Sequence, residues 1–189
     1  MEDNQDLMEQ AEDYFVNEQW KQAIETYNKV IDSDSEHHMA YYKRGIAYSN
    51  LDEYKQARTD FSKAIELKSD FGLAYYNRGI IYGMLGEDEK AIEDFSKAVD
   101  LDLEDYLAYH NRGIAYKSLG EYKKAIKDFN KAIELNSDFA SAYKERGVAY
   151  GKLGNKQKAM ADIDRARELD PNFEPEYFEK AIAWYWSKY

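Results

Sequence analysis

Four arginines recur along the chain, and each is followed directly by a glycine. An aspartate follows every one of them at the same distance, giving the pairs Arg44 and Asp60, Arg78 and Asp94, Arg112 and Asp128, and Arg146 and Asp162. Because guanidinium groups bind carboxylates and phosphates through paired hydrogen bonds, the series is either a row of anion-binding sites or a repeated internal ion pair. We favour the internal pair, since one ligand site would not need the same two residues in every copy. At the equivalent positions 34 residues before Arg44 and Asp60, the chain has Gln10 and Thr26, so both members of the pair are replaced together.

Other patterns that could support chemistry are incomplete. The histidines His37, His38 and His110 lack the spacing of four residues that places two imidazoles on one side of a helix for zinc. The segments 32–43 and 100–111 begin with alternating acids, as calcium loops do, but lack the glycine and glutamate such loops require. The segment 147–154 lacks the spacing of a phosphate loop. We therefore predict no catalytic residues, no metal site, no cofactor and no enzymatic activity.

Composition limits which classes of partner and which cellular location are expected for the protein. The chain has 189 residues, of which 44% are hydrophobic, enough for one domain with a sizeable core. Its net charge of −11 disfavours nucleic acid, because an acidic protein repels a polyanion. There is no cysteine, no apolar run long enough to cross a membrane, and no signal-peptide pattern in the acidic start MEDNQDLMEQ. We expect a cytoplasmic protein with no membrane or nucleic-acid partner.

A strict internal repeat organises the sequence. The glycines that follow the four arginines, Gly45, Gly79, Gly113 and Gly147, are each separated by 34 residues. The same frame extends back to Ala11 in a degenerate copy and forward to Ala181, where half a repeat remains. This register gives five repeats and one closing helix within a single domain over 4–189, with boundaries at 4–37, 38–71, 72–105, 106–139, 140–173 and 174–189.

Each repeat is predicted to be a helix hairpin. In the third copy, Tyr75, Gly79 and Tyr82 share one helical face, and Ala91, Phe95 and Ala98 share the next. The segment LGED at 85–88 separates them as a turn. The glycine allows a second helix to approach closely, and the phenylalanine fills the space between helices. Because one hairpin cannot bury its own faces, stacked neighbours must do so.

These residues resemble the tetratricopeptide repeat. The resemblance rests on the period and on recurring positions that in the fourth copy are Tyr109, Gly113, Tyr116, Ala125, Phe129 and Ala132. The proline usual near the end of such repeats occurs only as Pro171, where the other copies have Ser35, Ser69, Leu103 and Ser137. The resemblance implies an all-α fold, a right-handed superhelical solenoid of helix hairpins with a C-terminal capping helix.

The family also implies a binding surface. In tetratricopeptide proteins a concave groove is lined by the first helix of each hairpin. Transferred by register, the groove residues are Met39, Tyr42, Ile46, Leu73, Tyr76, Ile80, Met84, Leu107, His110, Ile114, Lys117, Ser141, Lys144, Val148 and Lys152. The groove thus begins apolar and turns basic, which favours a peptide with bulky anchors and an acidic flank. We expect Tyr42, Tyr76 and His110 to form a ladder of ligand-anchoring rings.

One specific family mechanism is predicted to be absent. Chaperone cofactors of this family hold the C-terminal carboxylate of Hsp70 or Hsp90 in a clamp of lysine, asparagine and arginine side chains. Asn77 and Asn111 match one clamp position, but Tyr42 and Ile46 precede the first of them where lysine and asparagine are needed. We therefore expect no binding of a peptide ending in Glu-Glu-Val-Asp.

The end of the chain carries an unusual density of large rings. The predicted closing helix contains Tyr177, Phe178, Trp184, Tyr185 and Trp186. A terminal helix of a solenoid usually has a polar outer face, and exposed apolar patches mark interaction surfaces. These residues predict that the closing helix mediates self-association or docks a helix of a partner, with a symmetric dimer as the simplest closed arrangement.

The sequence as a whole predicts a non-enzymatic adaptor or scaffold that binds a peptide or helix of a partner protein in its groove. Two alternatives to the adaptor remain at this point: a self-assembling structural module, and a regulatory domain of a larger system.

Overall fold

The computed structural model describes residues 4–101 and 105–170. These residues form ten α-helices, as the all-α prediction requires. The helices are α1 Asn4–Val16, α2 Trp20–Ser33, α3 His38–Asn50, α4 Tyr54–Leu67, α5 Gly72–Met84, α6 Asp88–Asp100, α7 Tyr106–Ser118, α8 Tyr122–Leu135, α9 Ala140–Lys152 and α10 Lys156–Leu169.

The helices divide into two compact units between residues 103 and 104. The N-terminal unit contains α1 to α6, and the C-terminal unit contains α7 to α10. In both units, consecutive helices pair into hairpins, and the second helix of one hairpin packs against the first helix of the next. Each unit is therefore a sequential stack of hairpins. The prediction of one domain over 4–189 stays a prediction.

The first helices lie on the inner side of each stack. Within the N-terminal unit α3 contacts both α1 and α5, and within the C-terminal unit α7 contacts α9. Among the described residues of each unit, no two second helices approach each other to the same extent. The stacks therefore curve towards the first helices. We call the solvent-facing side of the first helices the inner face of each unit.

Helix α4 shows how the sequence builds a hairpin. Its buried residues Ala57, Phe61 and Ala64 recur at steps of four and three and so form one face. The Phe61 ring packs where a Cβ on Gly45 of α3 would lie only 2.8 Å from it. A side chain at residue 45 would displace the ring, so the glycine permits the close packing of α3 on α4.

The hairpin turns explain a second set of glycines. Gly86, Gly120 and Gly154 adopt φ of 73°, 76° and 78°. This left-handed conformation strains residues that carry a Cβ. The first two hairpins adopt it with Glu18 and Asp52. Their turns therefore carry a local strain that the three later turns avoid.

Candidate functional site

The recurring arginines form the predicted internal ion pairs. Arg44 donates from Nε and Nη2 to the two carboxylate oxygens of Asp60, both at 2.7 Å. The same two-bond geometry joins Arg78 to Asp94, Arg112 to Asp128 and Arg146 to Asp162. All four aspartates are buried. The hydrogen bond from Arg112 to Asp128 raises the pKa of the Arg112 guanidinium, so that guanidinium remains charged at all ordinary pH values.

The first hairpin has no such bridge. Gln10 is exposed, and the buried Thr26 donates its hydroxyl to the carbonyl of Gln22 at 2.9 Å. The two substitutions remove donor and acceptor together, so neither charge is left buried alone. The structure thereby confirms the interpretation of these arginines as architecture.

The arginines also connect neighbouring hairpins, which the sequence analysis did not anticipate. Nη1 of Arg44 donates to Asn28 at 2.6 Å, Nη1 of Arg78 to Ser62 at 3.0 Å, and Nη1 of Arg146 to Asn130 at 2.7 Å. Each acceptor belongs to the second helix of the preceding hairpin. The signal was present in the sequence, because an asparagine or serine stands 16 residues before every one of the four arginines.

Tyrosines enclose the same guanidinium groups. The Arg78 guanidinium carbon lies 5.6 Å from the ring centre of Tyr75 and 5.8 Å from that of Tyr82. Arg44 lies at similar distances from Tyr41 and Tyr48. These are cation–π distances. Bonded on one side and stacked on the others, the arginines offer little to an outside anion, so the candidate site must lie elsewhere.

The inner faces expose apolar side chains at predicted groove positions. Leu73 and Met84 of α5 are 45% and 64% exposed, and Ile114 of α7 is 37% exposed. Val16 at the end of α1 is 75% exposed and stands two periods before Met84, so it belongs to the same surface. The sequence analysis missed Val16 because the first repeat is degenerate, although the register was sufficient to find it.

Two rings of the predicted ladder are buried. Tyr42 is 8% exposed, with its ring centre 4.7 Å from that of Phe71, and its hydroxyl accepts a hydrogen bond from Asn77 at 3.0 Å. His110 is 7% exposed, with its ring centre 4.8 Å from that of Phe139. Little of either ring remains for a ligand to contact, so these residues mainly pack the stack, contrary to the ladder expectation.

Tyr76 differs from its two equivalents. Its ring lies 5.8 Å from that of Phe95 and is only half-buried. In the sequence, a phenylalanine follows Tyr42 and His110 after 29 residues, whereas Asp105 stands at that distance from Tyr76. The burial of the first two rings could have been inferred from this difference. Tyr76 is the ring of the three with the most surface left to offer a ligand.

Burial determines the protonation of His110. Removal from water lowers its pKa to about 4, while Glu145 opposes and Lys117 assists this shift. The ring is therefore neutral at pH 7. Among the described residues, its Nδ1 has no hydrogen-bond partner.

The other predicted groove residues are distributed over the inner faces as follows. Met39 and Ile46 are half-buried and pack against the core of the N-terminal unit. Five further side chains are half-buried: Ile80, Leu107, Lys117, Lys144 and Val148. The side chains of Ser141 and Lys152 are exposed. Lys117 donates a hydrogen bond to Glu145, and Lys144 lies 4.0 Å from the same carboxylate. Peptide binding by these positions stays a prediction.

The acidic segments serve local structure where they are described. Asp34 accepts a hydrogen bond from the backbone of Glu36 at 3.0 Å, and Asp105 caps α7 by accepting from Leu107 at 2.9 Å. Within the two described ranges, no group of three or more metal-ligating side chains converges. No described helix is long and apolar enough to span a membrane. The residues predicted to self-associate, Tyr177, Phe178, Trp184, Tyr185 and Trp186, lie outside the described residues.

Solved structures with this fold are numerous. A MamA protein structure is 26% identical, covers 94% of this chain and 93% of its own, and superposes with a TM-score of 0.83. A fragment of MamA from Desulfovibrio magneticus RS-1 is 19% identical over 90% of this chain and 97% of its own, with a TM-score of 0.85. YrrB, described as a TPR protein with an unusual peptide-binding site, is 24% identical over 99% of this chain and 93% of its own, with a TM-score of 0.82.

Sequence comparisons decide the family. A search of curated proteins gives no match. The profile of the tetratricopeptide repeat matches residues 38–71, 72–105, 106–139 and 140–173. The matched segments make up most of the chain, and the helices within them pair as this repeat requires. The fold is that of a protein-interaction scaffold, and the chain belongs to the tetratricopeptide repeat family.

Proposed function

We propose that the protein is a non-catalytic adaptor that binds a peptide or helix of a partner protein along the inner faces of its hairpin stacks. The observation that supports this most directly is the exposure of Leu73, Met84, Ile114 and Val16. All four lie at inner-face positions of the first helices.

The remaining exposed large apolar residues lie in hairpin turns or on a second helix. Leu85, Leu119 and Leu153 occupy the same place in three successive hairpin turns, and Met160 lies on the second helix α10. Among the described residues, the inner face is therefore where exposed apolar surface concentrates away from turns. Isolated exposed leucines are ordinary, whereas apolar side chains grouped on one face mark an interaction surface.

The inner face of the N-terminal unit suits an apolar ligand surface. Leu73 and Met84 flank the half-buried Tyr76 and Ile80 on α5. Methionine is flexible and polarisable and adapts to differently shaped partners, and tyrosine contributes a large ring with a polar tip. The expected ligand is an amphipathic helix or an extended peptide whose bulky side chains pack on this surface.

A peptide-display selection on the purified chain tests the proposal. We expect enriched peptides to contain bulky apolar residues and to bind the chain in titration calorimetry. The double variant Leu73→Asp, Met84→Asp should weaken that binding by about tenfold or more, because it places charges in the contact surface.

The matched pair is Met84→Asp and its control Met160→Asp, which each add one negative charge at an exposed methionine, the control on a second helix. The control should leave the affinity unchanged. A selection that enriches no peptide, or peptides that bind both variants equally well, would refute the inner-face proposal. Circular dichroism of each variant verifies that the helices remain folded.

A further inference from the structure

Helix α5 contains a glycine that the packing of its own hairpin does not require. A Cβ on Gly83 would meet no atom of the described residues within 4 Å, and the residue is exposed. One turn earlier, a Cβ on Gly79 would lie only 2.8 Å from the Phe95 ring, so that glycine is needed for packing. Because glycine destabilises a helix interior relative to alanine, the fold gains nothing from Gly83.

The repeat does not require glycine at this register either. Three other first helices have a phenylalanine, a serine and a lysine there, namely Phe15, Ser49 and Lys117. The last hairpin has Gly151, which is buried, and a Cβ on it would lie 4.0 Å from the Cβ of Ala159. Gly83 is therefore the exposed one of the two glycines at this register, and its small size leaves space on the surface.

This space lies on the inner face of α5. At 3.6 residues per turn, five residues fall within a sector of about 100° on this helix: Leu73, Tyr76, Ile80, Gly83 and Met84. A helical side chain covers the turn N-terminal to its own Cα, so a side chain at residue 83 would lie against Tyr76 and Ile80. We call the space over Gly83, bordered by Tyr76, Ile80 and Met84, the notch.

The surface around the notch is apolar and uncharged. Leu73 and Met84 are 45% and 64% exposed, and Tyr76 is half-buried. The single charged residue of α5 is Arg78, which is bound to Asp94 through two hydrogen bonds. The part of a ligand that lies on α5 must therefore be apolar.

Acidic residues border this surface. The hairpin turns follow directly on α1, α3 and α5, so they lie along the edge of the inner face that contains Val16 and Met84. Glu18 and Asp52 are exposed in the first two of these turns. The whole N-terminal unit, residues 1–103, contains 11 basic and 23 acidic residues and so has a net charge of −12. A basic ligand is electrostatically complementary to it.

We infer that the inner face of the N-terminal unit binds a basic amphipathic helix of a partner protein, with one bulky apolar side chain of that helix in the notch. An amphipathic helix satisfies both conditions, because it separates an apolar stripe from a charged face. Its apolar residues pack on Leu73, Tyr76 and Met84, and its basic residues face the carboxylates of the hairpin turns. The inference rests on the proposed adaptor function and assigns this unit its class of ligand.

The probe is a fluorescein-labelled peptide of about 18 leucine and lysine residues, with the leucines at helical spacing. One reference peptide has glutamate in place of lysine, and another has the same composition with the leucines scrambled. Fluorescence anisotropy with the full chain should show that the lysine peptide binds more tightly than both references and weakens as salt is added. Equal binding of the glutamate peptide would overturn the basic character of the ligand.

Filling the notch localises the interaction. Gly83→Gln places a polar, uncharged side chain there and should weaken binding of the lysine peptide by about tenfold or more. The same variant should raise the unfolding temperature by about 2–4 °C, because glutamine is a better helix former than glycine. Loss of binding would then not be loss of folding.

The matched control is Thr59→Gln, which introduces the same side chain at an exposed residue of the second helix α4. It should leave the affinity unchanged. Unchanged affinity in Gly83→Gln would overturn the notch as the contact. A lowered unfolding temperature in Gly83→Gln would show that the glycine serves the fold, and would overturn it as well.

Neutralising acidic residues of the turns tests the charged border. Glu18→Gln, Asp52→Asn removes two charges, and asparagine tolerates the positive φ of residue 52. The control Glu25→Gln, Glu93→Gln removes two charges from exposed positions of second helices. The turn variant should weaken binding of the lysine peptide by about three- to tenfold, and the control by less. Equal losses would show attraction to the unit as a whole and would overturn the placement of the basic residues along the turns.

The remaining outcomes separate this inference from the adaptor proposal. If display-selected apolar peptides bind and the lysine peptide binds no better than its references, the basic-helix inference fails while the adaptor proposal stands. If no peptide of either kind binds, both fail. Sedimentation at low salt tests a second copy as the occupant: self-association abolished by Gly83→Gln but not by Thr59→Gln would assign the notch to another copy and overturn the partner-helix inference.

Discussion

The N-terminal and C-terminal units are built from the same hairpin but present different surfaces. Both contain the arginine-aspartate bridge and a phenylalanine packed against a glycine. Their inner faces diverge, since Leu73 and Met84 make one apolar while the other carries Lys144 and Lys152. The periodic positions hold the hairpins together, and the positions between them are free to vary. Specificity can therefore change along the chain without changing the fold.

Because the two units share this packing, we expect each to lose a similar amount of unfolding free energy when the phenylalanine that packs on its glycine is removed. Phe61 is 1% exposed and Phe129 is fully buried. Replacing either by alanine leaves a cavity and should lower the free energy of unfolding by about 3–5 kcal/mol. Urea unfolding followed by circular dichroism measures both losses. A difference between them of more than about 2 kcal/mol would show that the hairpins are not energetically equivalent.

The bridge should be sensitive to the loss of one partner and tolerant to the loss of both. Asp60→Thr leaves Arg44 as a poorly compensated charge in a largely buried setting and should lower stability by about 3 kcal/mol. Adding Arg44→Gln reproduces the pair found in the first hairpin, Gln10 and Thr26, and should recover part of that loss. Additive losses in this double-mutant cycle, measured by urea unfolding, would mean that the two side chains do not depend on each other.

His110 should make the stability of the C-terminal unit depend on pH. Its pKa in the folded chain is about 4, below the ordinary histidine value of 6.5, because the ring is buried. Between these values the unfolded chain binds the proton more readily, so stability falls as the pH is lowered through this window. The contribution amounts to about 3 kcal/mol at the acid end.

The variant His110→Phe isolates this contribution. Phenylalanine keeps the contacts with Phe129 and Phe139 and does not titrate. The difference in unfolding free energy between variant and original should therefore increase as the pH is lowered from about 7 to about 4.5. A difference independent of pH would mean that the ring takes up its proton at the same pH in the folded and the unfolded chain. Tyr42, the equivalent residue of the N-terminal unit, does not titrate there, since burial raises its pKa above the ordinary tyrosine value.

The periodic part of this structure was predictable from the sequence. The spacing of Gly45, Gly79, Gly113 and Gly147 predicted the hairpins, and the joint loss of arginine and aspartate in the first repeat predicted that they pair. Both inferences succeed because packing constraints recur at every turn of a stack. A residue type that returns at the same register must meet the same neighbours.

The candidate site was less predictable, because its residues and their surroundings differ from one repeat to the next. Tyr42 and Tyr76 occupy the same register, yet one is buried and the other half-buried. The difference arises from the environment of each ring, since Phe71 packs on Tyr42. The sharing of Glu145 between Lys117 and Lys144 likewise requires the distance between two helices, which a linear sequence does not contain.

The smallest expected effect is the difference in stability between two glycine-to-alanine variants, one in each hairpin of the C-terminal unit. A Cβ on Gly113 would lie 2.6 Å from the Phe129 ring, whereas a Cβ on Gly147 would meet its nearest atom at 3.1 Å. The ring at residue 129 is fully buried and has little room to move, and Ile163 takes its place in the last hairpin.

Gly113→Ala should therefore lower stability by about 1–3 kcal/mol through overpacking. Gly147→Ala should cost less than Gly113→Ala, because its contacts, of which the backbone carbonyl of Ala159 is the nearest, are longer, and the better helix propensity of alanine offsets them by about 1 kcal/mol. Thermal and urea unfolding of the two variants give the comparison, and a larger loss at residue 147 would contradict the assignment of Phe129 as the tighter contact.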